Sequence, residues 1–397
     1  MSSYALDNLA TLVAALLTIG LGQRINALVP WLGRNNVPPA VSAGLVLSLA
    51  LAGLRASGAV DLTFSTVPRD VLLLVFFASL GFGAHLGRLA SAGKGALVIC
   101  LAVLLAIVGQ NLVGTALAGV FGQPAALGPF LGSIAFIGGH GTAVAWSNSP
   151  AASGIPTAFP VGIGSATLGL VLGGLAAGPI AAWLAARHGA SVPPAGAAVA
   201  DAGPVREPAF SSDRWLPCLL WIFVAMAIGP LLGAFAAGHG LKVPGFLAVL
   251  LIAVAVTNGA DLLRRPLDTE VTDLIGTVAL RIFLAIAMLS LDWSALVAHL
   301  PLLLANAAAQ VALMAAIAIL VLYPLFGRDR EAAAACGGFI GFGLGAMPVG
   351  LAVMRRLNAR FGDTPRALLA VTLAASLFTD TANALIVNAF FGALGGR

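Results

Sequence analysis

The side chains able to do chemistry in this chain are few, and they gather at four places. The first is Thr379-Asp380-Thr381-Ala382-Asn383. Asp380 lies deep in an apolar run. An ionisable group at such a place is a functional candidate, because an unpaired charge there costs about 2.5–3.5 kcal/mol even on a lenient insertion scale. Asp380 and Asn383 are three residues apart and share a helix face. With Thr379 and Thr381 they present carboxylate, amide and hydroxyl groups, a donor set suited to a hard cation such as sodium. The corresponding stretch of the first half has Ser165, Thr167 and Gly169 and no carboxylate; Thr167 is the hydroxyl expected to join the cation site. The plainer reading of the same residues is a hydrogen bond between helices, and the carboxylate weighs against it.

Two glycine-rich runs come next: Gly138-Gly139-His140-Gly141-Thr142 and Gly341-Phe342-Gly343-Leu344-Gly345, the second followed by Met347-Pro348. Glycine lets a backbone turn sharply and come close to a ligand. A helix that starts after such a turn exposes free N–H groups and a positive dipole end, which suits a carboxylate. Thr142, Ser147 and Asn148 add polar groups after the first run. Gly343, Leu344 and Gly345 offer backbone at the second, where Pro348 can open a helix. The plainer reading is close helix packing through glycine. It explains less well a Gly-Gly-His-Gly-Thr run in a segment too short to span. His140 either hydrogen-bonds a substrate, senses protons or satisfies a neighbouring carbonyl. The fourth place is Arg281, in the middle of an apolar run. Its guanidinium needs a substrate carboxylate, an ion pair with an acid such as Asp273, or a route to the interface by snorkelling. Gln110 and Asn111 read as glue between helices.

The elements that must position these residues are membrane helices. Hydrophobic residues make up 60% of the 397 positions and charged ones 9%, with a mean hydropathy of +1.02, whereas soluble domains carry about 25% charge. The net charge of +5 does not point to nucleic acid, because the basic residues sit singly or in pairs between apolar runs. Cys100, Cys218 and Cys336 have no metal or disulfide spacing. The start lacks a basic region and contains Asp7, so no cleavable signal peptide is expected. Ten runs are long enough to cross a bilayer: 5–21, 37–54, 71–86, 95–121, 159–186, 215–237, 243–259, 274–291, 297–326 and 366–391. Two more, 125–156 and 331–357, carry a glycine cluster near the middle and arms about half a bilayer long. They are expected as re-entrant hairpins with tips at the two clusters.

Placing both termini outside puts most of the twenty Lys and Arg on the cytoplasmic side, as the positive-inside bias requires. Val37-Pro38 recurs as Val243-Pro244 and Phe136-Ile137-Gly138 as Phe339-Ile340-Gly341, at offsets of 206 and 203. Five spans per half is an odd number, so the second repeat must be inverted, the pattern of secondary transporters. The expected fold is an all-α membrane protein of two inverted five-helix repeats, 1–186 and 215–397. A cytoplasmic linker rich in Ala, Pro, Gly and Ser occupies 187–214. The first, second, sixth and seventh spans, poor in polar residues, are expected to form a scaffold beside a transport core.

The chain resembles the bacterial glutamate:sodium symporter family nearly end to end. The resemblance is carried by Leu9-Ala10-Thr11-Leu12-Val13-Ala14-Ala15, Phe76-Phe77-Ala78-Ser79, the 138–142 run, Ala145-Trp146-Ser147, 168–174, Gly341-Phe342-Gly343-Leu344-Gly345-Ala346, Asp380 and Asn383-Ala384-Leu385-Ile386-Val387. It implies sodium-coupled uptake of glutamate by a homodimer in the bacterial inner membrane, with elevator-like movement and no cofactor besides the coupling Na+. Gly81-Phe82-Gly83-Ala84-His85, Arg281 and Met347 depart from the family pattern. A carrier of citrate or malate is the neighbouring reading. An intramembrane enzyme lacks a second deep acid, a nucleophile–base pair or zinc spacing, and a channel lacks a ring of charge or a filter motif.

Overall fold

The computed structural model describes residues 2–34, 37–87, 93–187, 211–239, 243–264, 266–345 and 347–394. Most of the stretch read as a linker lies outside them. Among the described residues, nine helices are long and apolar enough to cross a membrane: Asn8–Leu28, Pro39–Ala56, Gly93–Val120, Ala158–Arg187, Ser212–Gly238, Gly245–Leu262, Thr269–Leu289, Leu300–Phe326 and Pro365–Leu394. The remaining expected span is Val67–Gly83, a helix of 17 residues. At 1.5 Å per residue it covers about 25 Å, somewhat less than the hydrocarbon core. Counted in chain order, Val67–Gly83 is the third of ten long helices.

Helix starts follow local chemistry. The Asp7 carboxylate caps the first helix by accepting from Ala10 N at 2.7 Å, and Asp268 caps the eighth by accepting from Val271 N. Pro39 opens the second, where a missing N–H costs nothing. Ala5, expected to begin the first span, instead ends a strand, Ser2–Ala5, paired in parallel with Val60–Thr63. The three cysteines are buried and unbridged.

Packing sorts the helices into two bodies. The first, second, third, sixth, seventh and eighth pack on one another. The four helices expected to form a scaffold thus share their body with the third and eighth. Glycine sets that closeness: a Cβ on Gly81 would lie 2.5 Å from the Leu250 carbonyl oxygen, and one on Gly276 would run into Ser79. The fourth, fifth, ninth and tenth helices and both hairpin segments form the second body. The bodies meet through aromatic rings. Trp146 lies 5.2 Å from Phe246 of the first body and 5.3 Å from Phe391 of the tenth helix, and Phe246 stacks 4.6 Å from Phe77.

At the base of the sixth helix, Arg214 Nε contacts Asp268 Oδ2 at 2.6 Å and its Nη2 reaches Glu270 at 3.1 Å. The Arg214 hydrogen bond holds the Asp268 carboxyl below the usual carboxylate range. Because folding lowers this pKa, the contribution is full above the ordinary carboxylate value and is lost as pH falls through the lowered one. Both groups are partly exposed, so the effect is small. Melting curves of the purified protein from pH 7 downward are expected to show a smaller acid-induced loss in Arg214→Met than in the parent.

Candidate functional site

The first hairpin segment is broken where the glycines predict. Short helices, Gly128–Leu131 and Ser133–Phe136, lead to a turn at Ile137 and Gly138, after which Gly139–Ser147 is helical. Gly139 has φ +72°, in the left-handed region that glycine adopts readily. The Thr142 hydroxyl donates to the Gly138 carbonyl at 2.9 Å and so closes the first turn on itself.

The second segment differs from expectation. Arg330–Gly345 is one continuous helix of 16 residues and the other arm is Met347–Phe361. The cluster 341–345 is thus the last turn of the first arm, and Gly341, Gly343, Leu344 and Gly345 are helical rather than a mid-segment break. The reason is packing. A Cβ on Gly341 would lie 2.8 Å from Gly350 Cα on the facing arm, and one on Gly345 would lie 2.9 Å from Leu170 Cα on the fifth helix. The reading set aside for the first run, close contact through glycine, is what these residues do in the second.

The two segments meet on the fifth helix. A Cβ at Gly169 would run into the Leu344 carbonyl oxygen and come within 2.7 Å of the Phe136 ring. One residue from each segment therefore rests on the same glycine. Two residues earlier, Thr167 Oγ1 donates its only proton to the Ile163 carbonyl at 2.9 Å. The same oxygen is hydrogen-bonded to His140 Nε2 at 3.1 Å. His140 is buried and satisfies a hydroxyl, not the carbonyl considered from sequence. The structure thus joins His140 and Thr167, assigned from sequence to different ligands.

The tenth helix supplies the other half. Residues Ala374–Thr379 are π-helical and the regular helix resumes at Asp380. Such segments are rare and are frequent at functional sites; nothing in the residue pattern announced this one. Thr379 bonds back to the Ala374 carbonyl at 2.9 Å. Asn383 Nδ2 donates to the Ser133 carbonyl at 3.1 Å, which ties this helix to the first hairpin, while Asn383 Oδ1 is buried and unpaired. Asp380, one turn before Asn383, is half-buried and has no hydrogen-bond or ion-pair partner among the described residues. A carboxylate inside an apolar body without a partner is a place for a cation.

Three sequence candidates lie elsewhere. Arg281 is exposed, with no ion pair among the described residues, so the buried guanidinium expected from sequence is not found. Before Arg281 the buried residues Thr272, Gly276 and Ala279 lie on the opposite face, whereas after it the helix is buried all round from Phe283 to Leu289. Its neighbour Leu280 reaches the first tip at Gly141, together with Phe76 of the third helix. The Ser147 hydroxyl donates to Val144 at 2.8 Å at the far end of its helix. The stretch 81–85 belongs to the contact with the seventh helix, where His85 Nδ1 bonds Asp261 Oδ2 at 2.5 Å. Gln110 and Asn111 face hairpin backbone rather than another spanning helix, and Asn306 and Gln310 of the ninth helix, not singled out from sequence, do the same. Two amides four residues apart in an apolar run were the available signal.

The sequence profile of the sodium/glutamate symporter family matches residues 4–363. The chain belongs to this family. It is 34% identical to the sodium/glutamate symporter of Escherichia coli (strain K12) over 397 residues, covering 98% of each chain. It is 32% identical to that of Haemophilus influenzae over 400 residues, again covering 98% of each. The similarity to these family members thus reaches the tenth helix, beyond the end of the profile match. Like its family, the chain is an integral membrane protein.

Gly169→Ala should destabilise the purified protein by about 1–3 kcal/mol, the usual range for overpacking. Gly178→Ala on the same helix has open space around the new methyl and should melt with the parent. Equal melting temperatures for the two variants would contradict the close contact of both hairpins on Gly169.

Proposed function

We propose that this chain is a sodium-coupled symporter that carries L-glutamate into the cell across the bacterial plasma membrane. The observation that carries the site assignment is the unpaired carboxylate of Asp380, at the end of a π-helical turn and one helical turn from a side chain bonded to the first hairpin. The cargo follows from the relatives, which are named as sodium/glutamate symporters; they are carriers, not enzymes.

Asp380, with oxygens of Thr379 and Asn383 and the Thr167 hydroxyl, forms the sodium site. These are oxygen donors on two helices that flank the hairpins, and the carboxylate supplies the charge. The N–H groups at the start of Gly139–Ser147 receive a substrate carboxylate, backed by the positive end of that helix. Gly138, Gly139, Gly141 and Thr142 shape this end, and His140 closes it against the fifth helix. Gly343, Leu344 and Gly345 line the opposite side. Arg281 stands at the edge of the site, on an exposed face whose neighbour Leu280 touches Gly141; it guides an anionic substrate rather than holding it. Ser147 is left out, because its hydroxyl is turned onto its own helix.

Two inverted repeats, 1–186 and 215–397, joined by a cytoplasmic linker with both termini outside, account for the architecture. Each half contributes its first three long helices to one body and its last two, with its hairpin, to the other. Alternating access then consists of an elevator-like movement of the hairpin body along the first, which serves as the scaffold and dimerises. Apolar ring contacts, such as the edge-on packing of Trp146 against Phe246, suit sliding because they impose no directional bond between the two side chains.

Uptake of labelled L-glutamate into proteoliposomes, with and without an inward sodium gradient, tests the assignment. Asp380→Asn should flatten the sodium dependence, and sodium activation equal to the parent's would remove Asp380 from the cation site. Unlabelled L-glutamate should compete more strongly than citrate or malate.

A further inference from the structure

The buried amides of the fourth and ninth helices make one connected system with both hairpins. Gln110 Nε2 donates to the Gly343 carbonyl at 2.8 Å, in the last turn before the second hairpin reverses. Gln310 Nε2 lies 3.0 Å from the Leu131 carbonyl of the first hairpin and 3.0 Å from the backbone carbonyl of Gln110. Asn306 donates to the same Leu131 carbonyl at 2.7 Å. The next residue after Gln110, Asn111, accepts from both the backbone N–H and the hydroxyl of Ser133 at 2.9 Å. Ser133 in turn accepts from Asn383, one turn from Asp380. An unbroken path of hydrogen bonds and adjoining residues therefore runs from Gly343 through Gln110 and Gln310 to the first hairpin, and on to the tenth helix.

Two features separate this system from ordinary helix glue. The first is that it is only half satisfied. Gln110 Oε1, Gln310 Oε1, Asn383 Oδ1 and Asn111 Nδ2 are buried without partners among the described residues, and both glutamines are fully buried. An apolar side chain of similar shape would hold two helices together without that cost. A network with spare acceptors and a spare donor has more than one pairing arrangement open to it, which is what a two-state element needs. The second is the tightness of the contact with the hairpin backbone. A Cβ on Gly132 would lie 2.5 Å from Asn111 Oδ1 and 2.7 Å from the Gln110 carbonyl oxygen, so a shift of the first hairpin is felt directly by these amides.

We propose that Gln110 and Gln310 are positioning residues that couple cation binding to substrate binding, by holding the two hairpins in one arrangement through this network. The proposal rests on the site assignment above and goes beyond it, because neither glutamine touches a ligand in that assignment. A cation at Asp380 and Asn383 acts through Ser133 on the first hairpin, and through Gln310 and Gln110 on the backbone at Gly343. Coupling between two binding events is reciprocal, so substrate at the tips strengthens cation binding by the same factor.

The test is L-glutamate affinity of the purified full chain, in sodium-free and sodium-saturated buffer, with melting temperature recorded alongside. In the parent, sodium should tighten glutamate binding. In Gln110→Met and in Gln310→Met, the ratio of the two affinities should fall by about fivefold or more, the lower end of usual coupling. The double variant should lose little beyond either single one. A role in stability alone would lower the melting temperature and leave the ratio unchanged, and that result overturns the proposal. Should either variant fail to fold, hydrogen exchange on the parent decides. Sodium alone should slow exchange around both Leu131–Gly138 and Gly341–Gly345, and protection confined to one hairpin overturns the proposal. The site assignment fails on a different result, sodium activation unchanged in Asp380→Asn.

Discussion

In hydrocarbon, no water is available to satisfy the end of a broken helix, so non-helical backbone must be enclosed by protein. This constraint organises the second body. Its hairpins interrupt their helices at Ile137 and Gly138 and after Gly345, and the fourth, fifth, ninth and tenth helices pack around them. Enclosure at that depth requires backbone to approach backbone, and glycine is what permits it. Gly169 receives both hairpins at once, Gly341 faces Gly350 across the second hairpin, and Gly132 lies against the amides of the fourth helix. The glycines of this body are therefore mainly contact residues. Gly139, with its positive φ, is the one in the tip whose backbone freedom is needed.

The same constraint decides where polar side chains go. Thr142, Thr379 and Ser147 return their hydroxyls to carbonyls of their own segments. His140 hydrogen-bonds Thr167, and the amide N–H groups of Gln110, Asn306, Gln310 and Asn383 go to backbone carbonyls. Among these side chains, Asp380 is the carboxylate, and it has no partner among the described residues. Its helix changes register over Ala374–Thr379 just before it, which rotates the carboxylate relative to where a regular helix would place it. A partnerless charge in such a setting calls for a positive ligand, and this ties the tenth helix to cation coupling in the proposed cycle.

The first body is built with a different chemistry. Its contacts are small-residue packing, as between Gly276 and Ser79, with polar bonds placed at helix ends, as between His85 and Asp261. Where it meets the hairpin body the contact is aromatic, through Trp146, Phe246, Phe77 and Phe391. A polar network inside one body and a hydrophobic seam between the two is a division of labour that suits a carrier. In the proposed cycle the network keeps the hairpins in one arrangement, while the seam lets the bodies move relative to one another.

The sequence by itself determined that the chain is a helical membrane protein, the place of its long helices, the break at Gly138 and the presence of an ionisable group, Asp380, inside an apolar run. These follow from hydropathy and from the high cost of charge and of broken backbone in lipid, which local sequence records directly. Helix ends such as Asp7 and Pro39 were misjudged by a few residues, because caps are set by single side chains. The tertiary structure alone decided the rest. The cluster at 341–345 looked like a break and is a helix, because glycine serves a turn and a close contact equally well and only the neighbours Gly350 and Leu170 distinguish them. Arg281 looked buried and is exposed, because position along an apolar run does not reveal which face meets protein. The pairing of His140 with Thr167, the third and eighth helices in the first body, and the amide path through Gln110 and Gln310 join residues far apart in the chain. Such contacts depend on how helices from both halves pack, and no local spacing encodes them.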